Sequence, residues 1–469
     1  MNILVSEHSL KKFESLMVRE RADLSVKNML FMKDYFFMAF FQYYNSNAVS
    51  DAVSLLEDFV AQQPNNFVRH QLFRLYCTLI IRYGDNETAH KIALKYSELT
   101  NILSDIGTKV YGLPKIVDNT HLVGRIGECV DQTVSTIGMK RLGLLLDKPV
   151  IPITKDLKPF IANNAFLPYM ADTFELIFDE EQAEFLKNMR DFSPYSTILF
   201  KYSDSLWGSH NDTFNSLRKL LIKKQLEPIL FELREENRTK ALKFLKHYGF
   251  KKNDQFIVFH SREGGNVYDG DHSIDRNYVP STFLDSLKYI LDQGLKIIRI
   301  GNPKMTPLPE LKGLIDLTSV PHPGDVDIFA CAEAKFFLGN SSGPATLAYY
   351  FDTPTANVGL VPYPIAYSGM LTAFQPLMDK STRKILTLHE IKKRKVLDTD
   401  SPKAFEAQNV AQGRLTPKQI LKLTKEMFEF ISSGAIIADN KKFDKEKELF
   451  GIEKDAYLSR DSLKLLTAA

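Results

Sequence analysis

Five brief apolar runs punctuate the chain after about residue 106: Val150-Ile151-Pro152-Ile153, Thr197-Ile198-Leu199-Phe200, Phe256-Ile257-Val258-Phe259, Lys296-Ile297-Ile298-Arg299-Ile300 and Phe336-Phe337-Leu338. Runs this short, rich in β-branched and aromatic residues, suit strands of a parallel sheet buried on both faces. Segments with helical spacing of apolar positions lie between several of them, for example Thr282-Phe283-Leu284-Asp285-Ser286-Leu287-Lys288-Tyr289-Ile290-Leu291. Such alternation predicts right-handed βαβ units in doubly wound sheets. A charged helical stretch from about Arg234 to Tyr248, ending at Gly249, separates two groups of strands. Two Rossmann-type α/β domains are therefore expected, over residues 106–245 and 246–400.

The flanking regions read differently. In residues 1–105, Leu55, Leu56, Phe59 and Val60, then Leu72, Leu75, Tyr76 and Leu79, recur at helical spacing, with Pro64-Asn65-Asn66 as the break. This helical hairpin has no second copy at a fixed period, so a helical cap or an arm for homo-oligomerisation is expected rather than a repeat array. Residues 401–469 are expected to be C-terminal helices. One of them starts at Leu415-Thr416-Pro417-Lys418-Gln419, with Thr416 as N-cap and Pro417 at the first helical position, and runs to about Ile431.

A chain of 469 residues exceeds one ordinary core, which fits this division. Hydrophobic residues make up 44% and aromatic residues 11%, enough to fold. Lys+Arg number 60 against 57 Asp+Glu, a net +3 that lacks the basic excess of a nucleic-acid binder but permits peripheral contact with anionic lipid. Cys77, Cys129 and Cys331 are far apart and odd in number, which points to reduced thiols in the cytoplasm and to no metal-ligand spacing. The N-terminus shows no secretory pattern, and oily patches such as Tyr35-Phe36-Phe37-Met38-Ala39-Phe40-Phe41 are shorter than the ~20 residues of a spanning helix.

Ligands of open α/β sheets sit beyond the carboxyl ends of the strands, so the residues following each apolar run carry the candidate chemistry. After Phe259 come His260-Ser261-Arg262-Glu263-Gly264-Gly265, a polar loop from Asn266 to Ser273, and Asp275-Arg276-Asn277-Tyr278. Arginines here offer bidentate donors to a diphosphate. The alternative is a surface pair with Glu263 or Asp275, worth roughly 0–1 kcal/mol. After Ile300 comes Gly301-Asn302-Pro303, whose glycine lets a ligand approach the backbone; Arg299 faces either the ligand or the opposite side of its strand. The loop His322-Pro323-Gly324-Asp325-Val326-Asp327 either orders a nucleoside or, the favoured reading, has its aspartates cap the next helix. The run Gly339-Asn340-Ser341-Ser342-Gly343-Pro344-Ala345-Thr346-Leu347-Ala348 reads as strand, tight turn and helix N-terminus. Such a turn is either an anion pocket, favoured by roughly 0.3–1 kcal/mol and up to about 2 when partly buried, or a plain capped βα turn. Near the first group of strands, Gly124 and Gly127 open a turn before Glu128, a carboxylate that serves either as general base or as the complement of its own helix dipole. The chain has no Gly-x4-Gly-Lys-Ser/Thr, no Gly-x-Ser-x-Gly, no His-Glu-x-x-His and no strand-flanked Asp-x-Asp to clamp a metal–diphosphate, so metal-independent chemistry is expected.

With these residues assembled, the second half resembles the nucleotide-sugar-binding domain of GT-B glycosyltransferases. Asn340-Ser341-Ser342-Gly343-Pro344-Ala345-Thr346-Leu347-Ala348, followed by Thr353-Pro354-Thr355, is similar to the Asp-Ser-Gly-Pro-Met-His-Leu-Ala…Gly-Thr-Pro segment of bacterial lipopolysaccharide heptosyltransferases. Residues 256–364, about a quarter of the chain, resemble a bacterial family of surface-polysaccharide glycosyltransferases in four motifs: His260 and Arg262, Arg276 and Asn277, Arg299 and Gly301, and Asn340 to Gly343. Gly127-Glu128 stands where heptosyltransferases carry Gly-Asp with the catalytic aspartate, the glutamate being one methylene longer. His260-Ser261-Arg262 is also similar to the His-x-Arg-Arg of fucosyltransferases, but the second arginine is missing, so GDP-fucose is not implied.

The resemblance implies a GT-B-like pair of doubly wound domains, acceptor then donor, and a cytoplasmic enzyme of cell-surface glycan assembly with no cofactor beyond its nucleotide-sugar donor. The acceptor it implies is a glycan or lipid-linked molecule. Glu128 and Arg262 are the implied catalytic residues. His260, Arg276, Asn277, Arg299, Gly301, Asn302, Asn340, Ser341, Ser342, Gly343 and Pro344 are the implied donor-binding set. A nucleotide-sugar epimerase and a non-catalytic helical scaffold with a nucleotide-sugar-binding module remain the alternatives.

Overall fold

Four of the five apolar runs become strands of two parallel sheets in the computed structural model. It describes residues 112–117, 125–189 apart from 144 and 146, 194–195, 221, 224–263, 276–397 apart from 362, 364, 365, 367 and 368, and 402–467. The helical region over 1–105, the strand at 197–200, Gly124 and the loop from Asn266 to Ser273 lie outside these residues. The described chain forms two compact units, one from 112–117, 138–155 and 174–227, the other from 125–137, 156–173 and 228–467.

The first unit holds β1 (Ile116–Val117), β2 (Val150–Pro152), β3 (Glu175–Ile177) and β4 (Pro194–Tyr195), all parallel, in the order β3-β2-β1-β4. Ile116, Val150 and Ile177 bury against Ala183 and Leu186, which share one face of a helix over Glu180–Met189. A backbone N–H of Lys155 donates to Glu180 at 3.1 Å, satisfying the acidic first turn of that helix.

The second unit is built on seven parallel strands. In chain order these are β5 (Phe256–His260), β6 (Lys296–Arg299), β7 (Leu314–Asp316), β8 (Phe337–Asn340), β9 (Thr355–Leu360), β10 (Leu371–Phe374) and β13 (Tyr457–Leu458). Their spatial order is β13-β10-β9-β8-β5-β6-β7. Counted from β5, that is the 3-2-1-4-5-6 order of a dinucleotide-type sheet with one further strand at the edge. Strands β5, β8 and β9 are buried along their whole length, which fits the apolar runs that Phe256 to Phe259 form in β5 and Phe336 to Leu338 at the start of β8. A separate antiparallel pair, β11 (Leu377–Asp379) and β12 (Val410–Gln412), follows the sheet.

Helices alternate with the strands of both sheets. In chain order they begin with α1 (Ile126–Arg141), which starts in the second unit and ends in the first, and α2 (Leu167–Ala171), with α3 being the Glu180–Met189 helix already placed in the first unit. Next come α4 (Glu235–Leu245), α5 (Leu284–Asp292), α6 (Gly324–Glu333), α7 (Gly343–Tyr350), α8 (Leu388–Lys393), α9 (Pro402–Ala407) and α10 (Pro417–Ser432). One core cluster packs Ile257, Phe259, Ile297, Leu338, Ala356 and Val358 of the sheet against Leu287 and Ile290 of α5 and Ile420, Leu423 and Met427 of α10. Each of the larger side chains contributes roughly 1.5–3 kcal/mol by leaving water.

Helix α4 is prolonged by a 3-10 turn and stopped by Gly249 at φ +71°, a conformation glycine adopts without strain. Thr416 caps α10 as expected: its Oγ1 accepts from Gln419 N at 3.3 Å while Gln419 Oε1 accepts from Thr416 N at 2.9 Å. The residues after 400 also contain β12 and β13, and β13 pairs with β10, so this tail completes the second sheet.

The caps expected of Asp325 and Asp327 are not made. Pro323 occupies the cap position of α6, and the two carboxylates turn to other partners. Asp325 Oδ1 accepts from Asn237 Nδ2 at 2.9 Å, and Asn237 Oδ1 accepts from Tyr169 Oη at 2.9 Å, which ties α2 and α4 to α6. Asp327 Oδ1 lies 3.0 Å from His322 Nε2. A proline at the cap leaves the side chains in the first turn free to make tertiary bonds, while the helix dipole still favours their charge.

Candidate functional site

Strand order reverses between β5 and β8, because one continues to β6 on one side and the other to β9 on the opposite side. The crevice at such a reversal is where open α/β sheets hold their ligands. His260 and Gly339 are register partners there. Gly339 has no alternative: a Cβ at that position would lie 2.2 Å from the His260 carbonyl oxygen.

Asn340 closes the reversal. Only 1% exposed, it accepts at Oδ1 from Arg262 N at 2.8 Å and donates from Nδ2 to Arg276 O at 2.6 Å and Arg262 O at 3.3 Å. One amide thus pins the chain at both 262 and 276. Further bonds tighten the same crossing: Ser261 Oγ donates to Tyr278 O at 3.0 Å and Tyr278 N to Arg262 O at 2.9 Å. The Arg262 guanidinium is aimed by Asn277, whose Oδ1 accepts from Nη1 at 2.8 Å. Arg276 has a buried Nε without a hydrogen-bond partner among the described residues. Arg262, Arg276, Asn277 and Asn340 are therefore brought together.

His260, 5% exposed, stands between this cluster and β6. Its Nδ1 donates to Ile300 O at 3.0 Å, which leaves the lone pair on Nε2. Burial pushes its pKa down to about 4, the charges of Arg299 and Arg262 adding to an effect that the Ile300 bond partly opposes. The imidazole is neutral at physiological pH.

Arg299 faces away from that cluster. It is fully buried, with Nη1 2.8 Å from Asp316 Oδ2 and Nη2 3.1 Å from Glu263 Oε1 and 2.8 Å from Thr306 O. Glu263 also accepts from Thr306 N at 2.9 Å. Of the two directions its place in β6 allowed, the paired one is realised, and its cation holds the loop after β6. In that loop Asn302 Oδ1 accepts from Lys304 N at 2.9 Å, and Gly301 makes room for Met305, whose Sδ a Cβ would meet at 2.3 Å. Neither residue hydrogen-bonds the Asn340 cluster.

Beyond Asn340 the chain passes Ser341 and Ser342 into α7, with Gly343 and Pro344 in its first turn. Ser342 is extended, its Oγ buried and without a hydrogen-bond partner among the described residues. The first turn of α1 lies directly on it: a Cβ on Gly343 would sit 2.8 Å from Gly127 N, and one on Gly127 2.8 Å from Gly343 Cα. Two positive helix ends thus meet through paired glycines.

Glu128 follows Gly127 in the first turn of α1, its Oε1 3.1 Å from Arg125 Nη1. One turn on is Asp131, a residue that sequence reasoning missed; its one local signal is the i, i+3 spacing from Glu128. Burial, then the Glu128 charge, pushes the Asp131 carboxyl up to about 8, and Oδ1 is buried without a hydrogen-bond partner among the described residues. The folded protein therefore holds a proton there that the unfolded chain releases near the ordinary value of 3.8. A raised carboxyl contributes stability that is present below that value and lost as pH rises towards about 8. Asp131→Asn should flatten the fall in stability between those limits, as urea unfolding at a series of pH values would show; an unaltered pH profile would refute it.

Among the described residues no group of three or more His, Cys, Asp or Glu side chains is placed to hold a metal ion, and no helix is long and apolar enough to cross a membrane.

No protein-family model matches the chain, and no curated protein does. Among solved structures, it is similar to the crystal structure of the glycosyl transferase family 9 from Veillonella parvula DSM 2008. Identity is 12%, the match covers 66% of this chain and 95% of that one, and the TM-score is 0.37. A likeness so slight leaves the fold and the site resting on the geometry above.

Proposed function

We propose that the second unit binds a nucleotide sugar by its diphosphate at the β5–β8 reversal and transfers the sugar to a glycan or lipid-linked acceptor, as a glycosyltransferase. The observation that carries this reading is the Asn340 clamp, which fixes the backbones of Arg262 and Arg276 beside the first turn of α7. Cationic donors held in advance stabilise the negative charge that grows on a departing diphosphate more than the charge of the bound donor. Arg262 and Arg276 supply that charge without a metal ion, and the Ser341-Ser342-Gly343 turn adds backbone N–H groups and the helix dipole. Glu128 is the base that takes the acceptor's proton, and its charge, together with burial, helps to keep the neighbouring Asp131 protonated. The motif order of residues 256–364 supports the same chemistry. Such an enzyme would work in the cytoplasm on cell-surface glycan precursors.

Calorimetry with a panel of nucleotide sugars, followed by a turnover assay with acceptor, tests the proposal. Binding of one nucleotide class, and transfer that Arg262→Ala slows tenfold or more through loss of a charge-assisted bond worth about 1.5–3 kcal/mol, is expected. No binding across the panel, or full turnover in a folded Arg262→Ala protein, would overturn it. Conversion of the sugar nucleotide without acceptor would make the protein an epimerase instead.

A further inference from the structure

The segment between β12 and α10 brings another arginine to the same residue that aims Arg262. Arg414 Nε donates to Asn277 O at 3.1 Å, and its guanidinium carbon lies 5.6 Å from the centre of the Tyr278 ring. Asn277 is therefore held from two sides, by Arg262 on its side chain and by Arg414 on its main chain. Tyr278 is itself locked: its hydroxyl accepts from Leu415 N at 3.2 Å and rests over Gly359, where a Cβ would lie 2.3 Å from it.

Like charges are not gathered on one residue without a cost. Among the described residues neither Arg276 nor Arg414 has a carboxylate partner, whereas Arg299, one strand away, has two. Arg414 is exposed, and its remaining bond is from Nη1 to Gly413 O at 3.1 Å. Its Nη2 group has no protein acceptor among the described residues, so the outer edge of a planar donor fork is presented to solvent at the carboxyl end of the sheet. The cation–π contact with Tyr278 and the Nε bond hold that fork in place before any ligand arrives.

We propose that Arg414 is a third cation of the anion site, binding the same nucleoside diphosphate as Arg262 and Arg276. This rests on the transferase reading for the identity of the ligand, but not for the presence of an anion site. With Arg262 on the side chain of Asn277 and Arg414 on its carbonyl, the two guanidinium groups are joined through one residue and offer donors to two phosphate groups.

Inorganic pyrophosphate is the probe, titrated calorimetrically into the full-length protein at several salt concentrations, with Arg414→Gln, Arg414→Lys and Arg262→Ala alongside. Arg414→Gln should weaken pyrophosphate about tenfold and make its affinity less sensitive to salt, with the thermal midpoint nearly unchanged. Arg414→Lys, which keeps the charge but loses the Nε bond and the bidentate fork, should bind with an affinity between those of the wild type and Arg414→Gln. Equal losses in the lysine and glutamine variants, together with a lowered midpoint, would mean that Arg414 only staples its segment to Asn277, and would overturn the proposal. Unaltered affinity in Arg414→Gln would also overturn it. If affinity is nevertheless lost in Arg262→Ala, the anion site of the transferase reading stands without Arg414. A wild-type protein that binds neither pyrophosphate nor any nucleotide sugar would end both readings.

Discussion

Replacing Arg299 by leucine is expected to cost about 3 kcal/mol of folding stability, the lower end of the range for removing one partner of a buried ion pair. The arginine is 0% exposed, and the carboxylates it neutralises, Glu263 and Asp316, have side chains 13% and 23% exposed. Left without the guanidinium, both would carry charge in a poorly solvated place, though their partial contact with water keeps the loss from reaching the top of the range. Thr306 would lose an acceptor contact at its carbonyl, and the loop after β6 would loosen. Urea unfolding should show a lower midpoint with an unchanged slope. Substituting Glu263 and Asp316 with apolar residues in the same protein should restore much of the loss, because no buried charge then lacks a partner. The site would respond as well. Arg299 helps to hold His260 neutral, so the His260 pKa, followed by NMR, should rise in the variant. An unshifted unfolding midpoint would show that the pair carries no stability.

Gly339→Ala is expected to be the most damaging single methyl group in the second unit. Its Cβ would lie 2.2 Å from the His260 carbonyl oxygen and 2.8 Å from Phe337 Cε1. The first obstacle is backbone of a central strand that is hydrogen-bonded on both sides, so it cannot move as a side-chain tip would. β5 and β8 would have to part at the point where the strand order reverses. Overpacking of this kind costs about 1–3 kcal/mol. The distinctive effect is on ligand binding. Asn340 follows Gly339 directly, and its bonds to Arg262 and Arg276 would stretch with the same displacement, so pyrophosphate affinity should fall more than tenfold, beyond the loss of one charge-assisted bond. Denaturation and calorimetry on one preparation would check both, and full affinity in a folded Gly339→Ala protein would sink the idea that the reversal holds the anion.

Local features were legible wherever one segment's own residues decide its state. Phe256 to Phe259 and Phe336 to Leu338 lead into strands because each is a short unbroken apolar run, and Thr416 to Gln419 is a cap because both partners lie within one turn. Arg262, Arg276, Asn277 and Asn340 were legible as a group because open sheets put function at strand ends, and all four follow strands or the turn leading from one. The capping expected of Asp325 and Asp327 failed for a tertiary reason, since Asn237, from a helix 88 residues earlier, claims the first of them.

What the sequence determined by itself, then, is an alternating α/β chain, the positions of β2, β5, β6 and β8, the Thr416 cap and the strand-end residues that could meet an anion. Each depends on contacts within a few residues, and hydrophobic periodicity and capping chemistry report those directly. Only the tertiary structure decided which strand ends are neighbours, that Arg299 is taken up by Glu263, 36 residues earlier, and by Asp316, and that Arg414 reaches Asn277 across 137 residues. It also decided that Gly127 meets Gly343 and that Asp131 keeps its proton. Strand order and burial are properties of the packed sheet, and a carboxyl or guanidinium takes its charge state and direction from neighbours that the chain brings near only by folding.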